Sequence, residues 1–380
     1  MRLLFITHDF PPDVGGIQTY MKEYADRFAK KCDDFAVICP DKPNASEVDK
    51  KLEYPVYRIP LFNNTHLYFS LRRKLKKIVQ LHKPDATFHA QWHTTLAAAK
   101  LRDQGELDNV FCATHGRELL FNPFKKIPVL DDVYINWMNR SLKAVDHHFP
   151  VSHYTKSLLG SRSIAESLTT VHPNGTSPDD FFPKDCSGFK KELGLEGKIV
   201  VLTVARILKS KGFENVFHAV KTLQSRGRNV HYLIVGDGPD RMEMAQIATN
   251  MNIEKHVTFV GKVPHEQLNP YYNISDLFVL TPSTFEAFGI VYLEAGACKK
   301  PVIGSKAYGI TDAVLDGETG LLVQPNNKEE LTDAFERLIQ NRALAEKLGV
   351  NGYERVKSKL NWDALSEKLY GEISSKLREG

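Results

Sequence analysis

The sequence predicts an α/β protein made of two doubly wound parallel-sheet domains that face each other across a cleft. Three observations carry this reading. Short apolar runs closed by Gly or Pro alternate with segments of helical periodicity, the alternation occurs twice, and a stretch rich in Pro, Gly and Asp separates the two series. Parallel strands need crossover connections, and helices serving as those crossovers cover both faces of the sheet. With 380 residues, 42% hydrophobic and 10% aromatic, the chain suits two Rossmann-like domains and excludes a disordered or fibrous protein.

The elements follow in order. Residues 3–7 form a short apolar run that Pro11-Pro12 and Gly15-Gly16 break, and Ile17, Tyr20, Met21, Tyr24, Ala25 and Phe28 then trace a helical stripe. Residues 35–39, 56–59 and 110–113 read as further strands, with helices near 71–82, 94–104 and 132–143. The second series places strands at 199–204, 231–235, 257–260 and 277–280. Its helices fall near 213–226, 240–251 and 265–274, with another beginning near Ile290. Pro173-Asn-Gly-Thr-Ser-Pro178, Asp179-Asp180 and Pro183 mark the boundary, giving domains 1–175 and 176–380. The last helix, about 362–377, either closes the second domain or crosses back to brace the first; periodicity does not choose between these.

Composition narrows the function classes. No apolar run approaches the ~20 residues of a membrane span, and the amino terminus turns polar too early for a secretory h-region, so a cytoplasmic chain is expected. Five cysteines at 32, 39, 112, 186 and 298 form no CxxC pair and read as reduced thiols. The net charge of +4 comes from the first half, much of it in residues 71–79, where Leu71, Leu75, Ile78 and Val79 oppose five cations. That helix is either a solvated face or a docking surface for an anionic membrane or phosphate-bearing acceptor. One basic stretch falls below the footprint of a nucleic-acid binder, so no nucleic acid is expected.

In open α/β sheets ligands bind beyond the carboxyl ends of the strands, and four post-strand segments carry chemistry there. Gly15-Gly16 opens a helix and is either a plain turn or a place where backbone N–H groups meet an anion. Arg206 and Lys211, five apart in one loop, are either solvated cations or a clamp for a diphosphate, Arg as a planar fork and Lys as a point charge. Gly236-Asp-Gly-Pro239 is a weak dinucleotide fingerprint without its third glycine, and Pro239 suits the first position of a helix. Glu286 and Glu294 lie eight apart among Phe285, Phe288, Tyr292 and Leu293. They are either surface carboxylates or, as that setting suits, the polar groups of a cleft in apolar walls, Glu286 holding a sugar ring and Glu294 a ribose diol.

In order and spacing, these segments resemble the GT4 family of retaining glycosyltransferases with the GT-B fold, from end to end of the chain. Asp9-Phe-Pro-Pro-Asp-Val-Gly-Gly-Ile-Gln18 and His115-Gly116-Arg117-Glu118 are similar to segments of bacterial mannosyltransferases that act on phosphatidylinositol mannosides. The resemblance implies a hexosyltransferase that moves mannose, glucose or an N-acetylhexosamine from a GDP- or UDP-sugar to a hydroxyl of an envelope, lipid-linked or polysaccharide acceptor. It implies that Arg206 and Lys211 bind the donor diphosphate, that Gly16 approaches it, and that Glu294 holds the ribose. Glu286, Phe288 and Gly289 would orient the transferred sugar, Val263 would lie near the base and His115 beside the reacting sugar. His8, Gln18, Trp92 and Arg117 would read the acceptor.

No Asp-x-Asp triplet occurs, so neither an essential metal nor another cofactor is expected, and the enzyme would work at the inner face of the membrane as a peripheral protein. One departure stands out: where the family carries Gly-Gly-x-Pro-Glu, this chain has Tyr308-Gly309-Ile310-Thr311-Asp312. Two rival readings remain: a nucleotide-sugar epimerase or hydrolase of the same fold, and a noncatalytic membrane-binding relative.

Overall fold

The structure is a computed structural model that describes residues 1–60 and 67–379. It divides into two compact units, one of Met1–Asn174 with Trp362–Gly380, the other of Gly175–Asn361.

The first unit runs β1 (Arg2–Ile6), α1 (Gly16–Phe28), β2 (Asp34–Pro40), α2 (Ala45–Asp49), β3 (Val56–Ile59), α3 (Leu67–His82), β4 (Ala86–His89), α4 (Thr95–Arg102), β5 (Asn109–Thr114), α5 (Arg117–Leu120), α6 (Pro128–Lys143), β6 (His147–Pro150) and α7 (His153–Gly160). The second runs α8 (Ser187–Glu192), β7 (Ile199–Val204), α9 (Phe213–Ser225), β8 (Val230–Val235), α10 (Arg241–Asn250), β9 (Val257–Gly261), α11 (Asn269–Ile274), β10 (Leu277–Leu280), α12 (Ile290–Ala297), β11 (Val302–Ser305), α13 (Ile310–Ala313), β12 (Gly320–Val323), α14 (Lys328–Gln340) and α15 (Arg342–Lys359). The last helix, α16 (Trp362–Glu379), groups with the first unit.

Both sheets are parallel, with six strands each, in the orders β3-β2-β1-β4-β5-β6 and β12-β11-β10-β7-β8-β9. Each sheet starts in its middle and winds first one way and then the other. The direction reverses between β1 and β4 in one sheet and between β7 and β10 in the other. Helices diverge at such a reversal, so the carboxyl ends of those strand pairs open into crevices.

Strands β4, β6, β11 and β12 escape the sequence reading because each is four residues long and carries polar or Gly positions in a run too short to show a period. All four are buried throughout, since neighbouring strands and helices supply the cover that their composition does not advertise. The helix expected at 265–274 begins instead as a 3₁₀ turn at His265–Gln267, and α11 starts at Asn269 with Pro270 in its first turn. Pro239 precedes α10 by two residues and so is not its first helical position.

α3 buries the whole apolar stripe expected of it: Leu71, Leu75, Ile78 and Val79 join Leu4, Ile6, Ala36 and Ile38 in the core. Of its cations, Arg73, Lys74, Lys76 and Lys77 are exposed, while the side chain of Arg72 lies outside the described residues. α16 packs on α1 through Trp362 against Tyr20 and Tyr24, with ring centroids 6.2 and 5.6 Å apart, and Arg27 donates to Asp363 at 2.6 Å. The cysteines are all free; burial raises the Cys32 and Cys39 thiols to about 12, leaving them unreactive near neutral pH.

Backbone approach in the second unit requires glycine at Gly236, whose φ is 137° and whose Cβ would fall 1.9 Å from the Ala205 carbonyl oxygen. Gly227, also at positive φ, has open space around it. Gly236→Ala is therefore expected to cost about 1–3 kcal/mol more than Gly227→Ala, because strain and overlap add to a shared left-handed penalty. Denaturant melts of the two variants measure this, and equal losses would contradict the packing role.

Candidate active site

In the second unit the loops after β7 and β10 meet at the strand-order reversal. The β7 loop is held from one side by the β8 loop: Ala205 N–H donates to Val235 O at 3.0 Å and Ile207 N–H to Asp237 O at 3.0 Å. Gly238 allows this approach as Gly236 does, since its Cβ would sit 2.1 Å from the Ile207 carbonyl oxygen. The Gly-Asp-Gly segment thus serves loop packing. From the other side, Gly212, at φ 83°, lies so near β10's end that a Cβ would be 2.1 Å from Thr281 O, and Ser283 N–H donates to Ser210 O at 2.9 Å.

This close seam sets the charges. Lys211 Nζ donates to Glu286 Oε2 at 2.6 Å, both side chains being half-buried. Arg206, from the same loop, is exposed and has no ion-pair partner among the described residues. Next comes the start of α12, with Gly289 at φ 92° as its cap; a Cβ there would strike the Tyr292 ring at 2.5 Å. Tyr292 is fixed by its hydroxyl, which donates to Leu280 O at 2.5 Å, and Phe288 is buried beside it.

Glu294, one turn into α12, is 3% exposed and accepts from Tyr272 Oη at 2.5 Å, with His265 Nε2 3.2 Å from its other oxygen. Val263, half-buried, stands two residues before His265. The sequence reading had no signal for Tyr272 and His265, because they come from α11 and the turn before it. The unusual turn after β11 puts Tyr308 at φ 57°, where the family pattern has its first glycine. Tyr308 packs on Phe285, ring centroids 6.2 Å apart, and Gly309 N–H donates to the Glu286 carbonyl oxygen at 3.1 Å. The departure therefore keeps a backbone tie to Glu286.

The first unit gathers its polar groups at the β1/β4 reversal and on the neighbouring β5. Gln18 Nε2 donates to Asp9 Oδ1 at 2.9 Å, and the His8 and His93 rings meet edge to face at 5.4 Å. A Cβ at Gly15 would meet only the movable end of the Gln18 side chain, and Gly16, at the open start of α1, has no neighbour within 4 Å of a Cβ. After β5, His115 N–H donates to Glu118 Oε1 at 2.8 Å, while His115 Nε2 and Glu118 Oε2 are buried without a partner. Burial lifts the Glu118 carboxyl to about 7 and presses His115 down to about 3, so His115 is a neutral imidazole near neutral pH.

Arg117 is exposed on the same loop. Trp92 differs from the expectation of an acceptor contact. It is 1% exposed in an aromatic core cluster, gives its indole N–H to Glu118 O at 3.1 Å, and stacks under His93 at 3.9 Å. It supports the loops and leaves His93, which the sequence reading missed, at the site.

Two family models match: residues 14–180 fit "Glycosyltransferase Family 4" and residues 188–355 fit "Glycosyl transferases group 1". The chain belongs to the family 4 glycosyltransferases. A GDP-mannose-dependent alpha-(1-6)-phosphatidylinositol monomannoside mannosyltransferase of Mycolicibacterium smegmatis is 26% identical to this glycosyltransferase, over 99% of each chain. An alpha-D-kanosaminyltransferase of Streptomyces kanamyceticus is 32% identical over 51% of each. Among solved structures, Anabaena HepE in complex with UDP has a TM-score of 0.83 at 20% identity, covering 99% of this chain and 100% of that one, which establishes the shared fold. No described helix of the glycosyltransferase is long and apolar enough to cross a membrane.

Seven histidines of the first unit are pushed down mainly by burial, His8, His147 and His148 to about 4 and His89, His93, His115 and His172 to about 3. Each stays neutral in the fold while the unfolded chain takes up a proton below about 6.5, so stability falls as pH drops from 6.5 toward 4. Three carboxyls of this unit act in the opposite sense, Glu118 between about 4.5 and 7 together with Asp9 and Glu372, which burial also raises, against seven imidazoles. The first unit is expected to unfold before the second on acidification, read by hydrogen exchange at pH 7.5 and 5; equal protection loss in both units would contradict this.

Proposed function

We propose that the protein is a metal-independent retaining hexosyltransferase using a GDP- or UDP-sugar. Its acceptor is a hydroxyl of a lipid-linked or polysaccharide component of the cell envelope. The observation that carries the reading is the Lys211–Glu286 pair at the β7/β10 reversal, with exposed Arg206 in the same loop as Lys211: two cations and a carboxylate on the loops where a doubly wound sheet binds ligands. The mannosyltransferase relative, matched over nearly all of its length, favours a GDP-mannose donor.

In this reading Arg206 and Lys211 hold the diphosphate, and Glu294, with Tyr272 and His265, receives the ribose hydroxyls near Val263. Glu286 and the backbone at Phe288 and Gly289 orient the hexose, and Gly16 leaves space for a phosphate at the start of α1. His115, neutral and with an unsatisfied Nε2, serves the reacting sugar as a hydrogen-bonding group. Its position is set by Glu118. His8, Gln18 and Arg117 contact the acceptor.

The acceptor oxygen bonds to the anomeric carbon on the face that the diphosphate leaves, the anomeric C–O bond breaks, and the hydroxyl proton passes to the departing diphosphate oxygen. The protein's part is to orient both partners and to stabilise the negative charge growing on the leaving group, which fixed cations do without reorganisation. Retention of the anomeric configuration follows.

Calorimetry with GDP and UDP in the presence of a metal chelator tests the assignment. One of the two is expected to bind, and Arg206→Ala to weaken it about tenfold or more, the worth of a charge-assisted hydrogen bond. Binding of neither nucleotide, or binding only without chelator, would overturn the reading. Full-speed turnover of donor with no acceptor would replace it with an epimerase or hydrolase.

A further inference from the structure

Directly after the His115–Glu118 loop, the first unit exposes apolar side chains that its core does not use. Leu120, Phe121, Ile127, Val129, Leu130 and Val133 are 41–73% exposed, whereas exposed large apolar residues elsewhere, such as Leu81, Leu168 and Met242, are scattered singly. The concentration is structural. α6 buries Tyr134, Met138 and Leu142 with Trp92, Leu119, Leu159 and Ile164, and that fixed inner face leaves Val129 and Val133, one turn apart, pointing away. The segment before α6 is held as well: Ile127 N–H donates to Phe124 O at 2.8 Å, Phe124 N–H to Asn122 Oδ1 at 2.8 Å, and the Asn122 amide to Asp131. These side chains are displayed by a rigid frame.

The charges around them have a sign. Lys125 and Lys126 stand exposed between Phe121 and Ile127, Arg117 on the His115 side, and Arg140 and Lys143 farther along α6. Against them are Asp131, engaged by Asn122, exposed Asp132, and buried Glu118. Apolar side chains rimmed by cations suit the boundary between acyl chains and anionic headgroups. A second copy of this chain suits it less, because an isologous contact would bring the lysine pairs toward each other. On α3 the stripe Leu71, Leu75, Ile78 and Val79 is in the core, and among its described side chains the exposed cations are accompanied by a single exposed large apolar residue, Leu81.

We propose that residues 120–133 are a membrane-docking surface that inserts these six side chains into the interface of an anionic bilayer and so brings a lipid-borne acceptor to the His115 loop. This rests on the reading of the acceptor as lipid-linked. It moves the membrane contact from the basic helix to a surface next to the site.

The test is flotation of the full chain with vesicles of phosphatidylcholine alone and of equal parts phosphatidylcholine and phosphatidylglycerol. The wild type is expected to prefer the anionic vesicles. The triple variant Phe121→Ser, Val129→Ser, Val133→Ser should lose about tenfold in partitioning, with its thermal midpoint and nucleoside diphosphate affinity kept. Lys125→Glu with Lys126→Glu should abolish the preference for phosphatidylglycerol. Wild-type partitioning of the triple variant, no binding of the wild type to either vesicle, or a dimer that the triple variant converts to monomer would each overturn the proposal. Transfer to a water-soluble glycan acceptor separates the two readings: the docking surface predicts that the triple variant retains it. Absence of transfer in the wild type as well, with partitioning behaving as described, would refute the catalytic reading and leave the surface standing.

Discussion

The 2.6 Å contact between Lys211 and Glu286 is the constraint on which the second unit's chemistry depends. The two residues are 75 positions apart, and they meet because the sheet reverses its winding between β7 and β10. The meeting is close because Gly212 and Gly238 let three loops lie backbone to backbone, where any side chain would overlap a carbonyl oxygen. The pair also neutralises each member while no ligand is bound. Without the other, each would stand half-buried and uncompensated, which is costly. A ligand bearing both groups can take over both partners at once.

The first unit solves a different problem. Its polar groups at the β1/β4 reversal are kept neutral by burial, with His8, His93 and His115 pressed below the range in which an imidazole is charged near neutral pH. Neutral imidazoles recognise hydroxyls without attracting stray anions, which suits a surface that reads an acceptor. The same burial is expected to make this unit the acid-sensitive one. Glu118 links the two roles, because its carboxylate holds the His115 backbone while its own backbone carbonyl takes the Trp92 indole N–H.

Much of this was legible in the sequence. Long apolar runs such as residues 199–204 and the stripe from Ile17 to Phe28 announced their elements, and Arg206, Lys211 and Glu286 could be placed because post-strand loops are where such folds bind ligands. What stayed hidden depended on tertiary cover or on distant pairing. The four short strands with polar or Gly positions, β4, β6, β11 and β12, are recognisable only once their neighbours are present, Trp92 looked available until the aromatic cluster enclosed it, and the partners of Glu294 come from an element with no motif of its own. The core takes up the apolar stripe of α3, and the cluster of exposed apolar residues between positions 120 and 133 carries no periodic signal that would have pointed to it.

The central claim is that Lys211 belongs to the diphosphate and Glu286 to the sugar, each holding the other in reserve. Calorimetric affinity of Lys211→Ala and Glu286→Gln for the free nucleoside diphosphate, which carries no sugar, separates the two roles. The account predicts that Lys211→Ala weakens binding about tenfold or more, while Glu286→Gln, by releasing the lysine, leaves it equal or tighter and abolishes sugar transfer. Unchanged affinity in Lys211→Ala, or an equal loss in both variants, would contradict it.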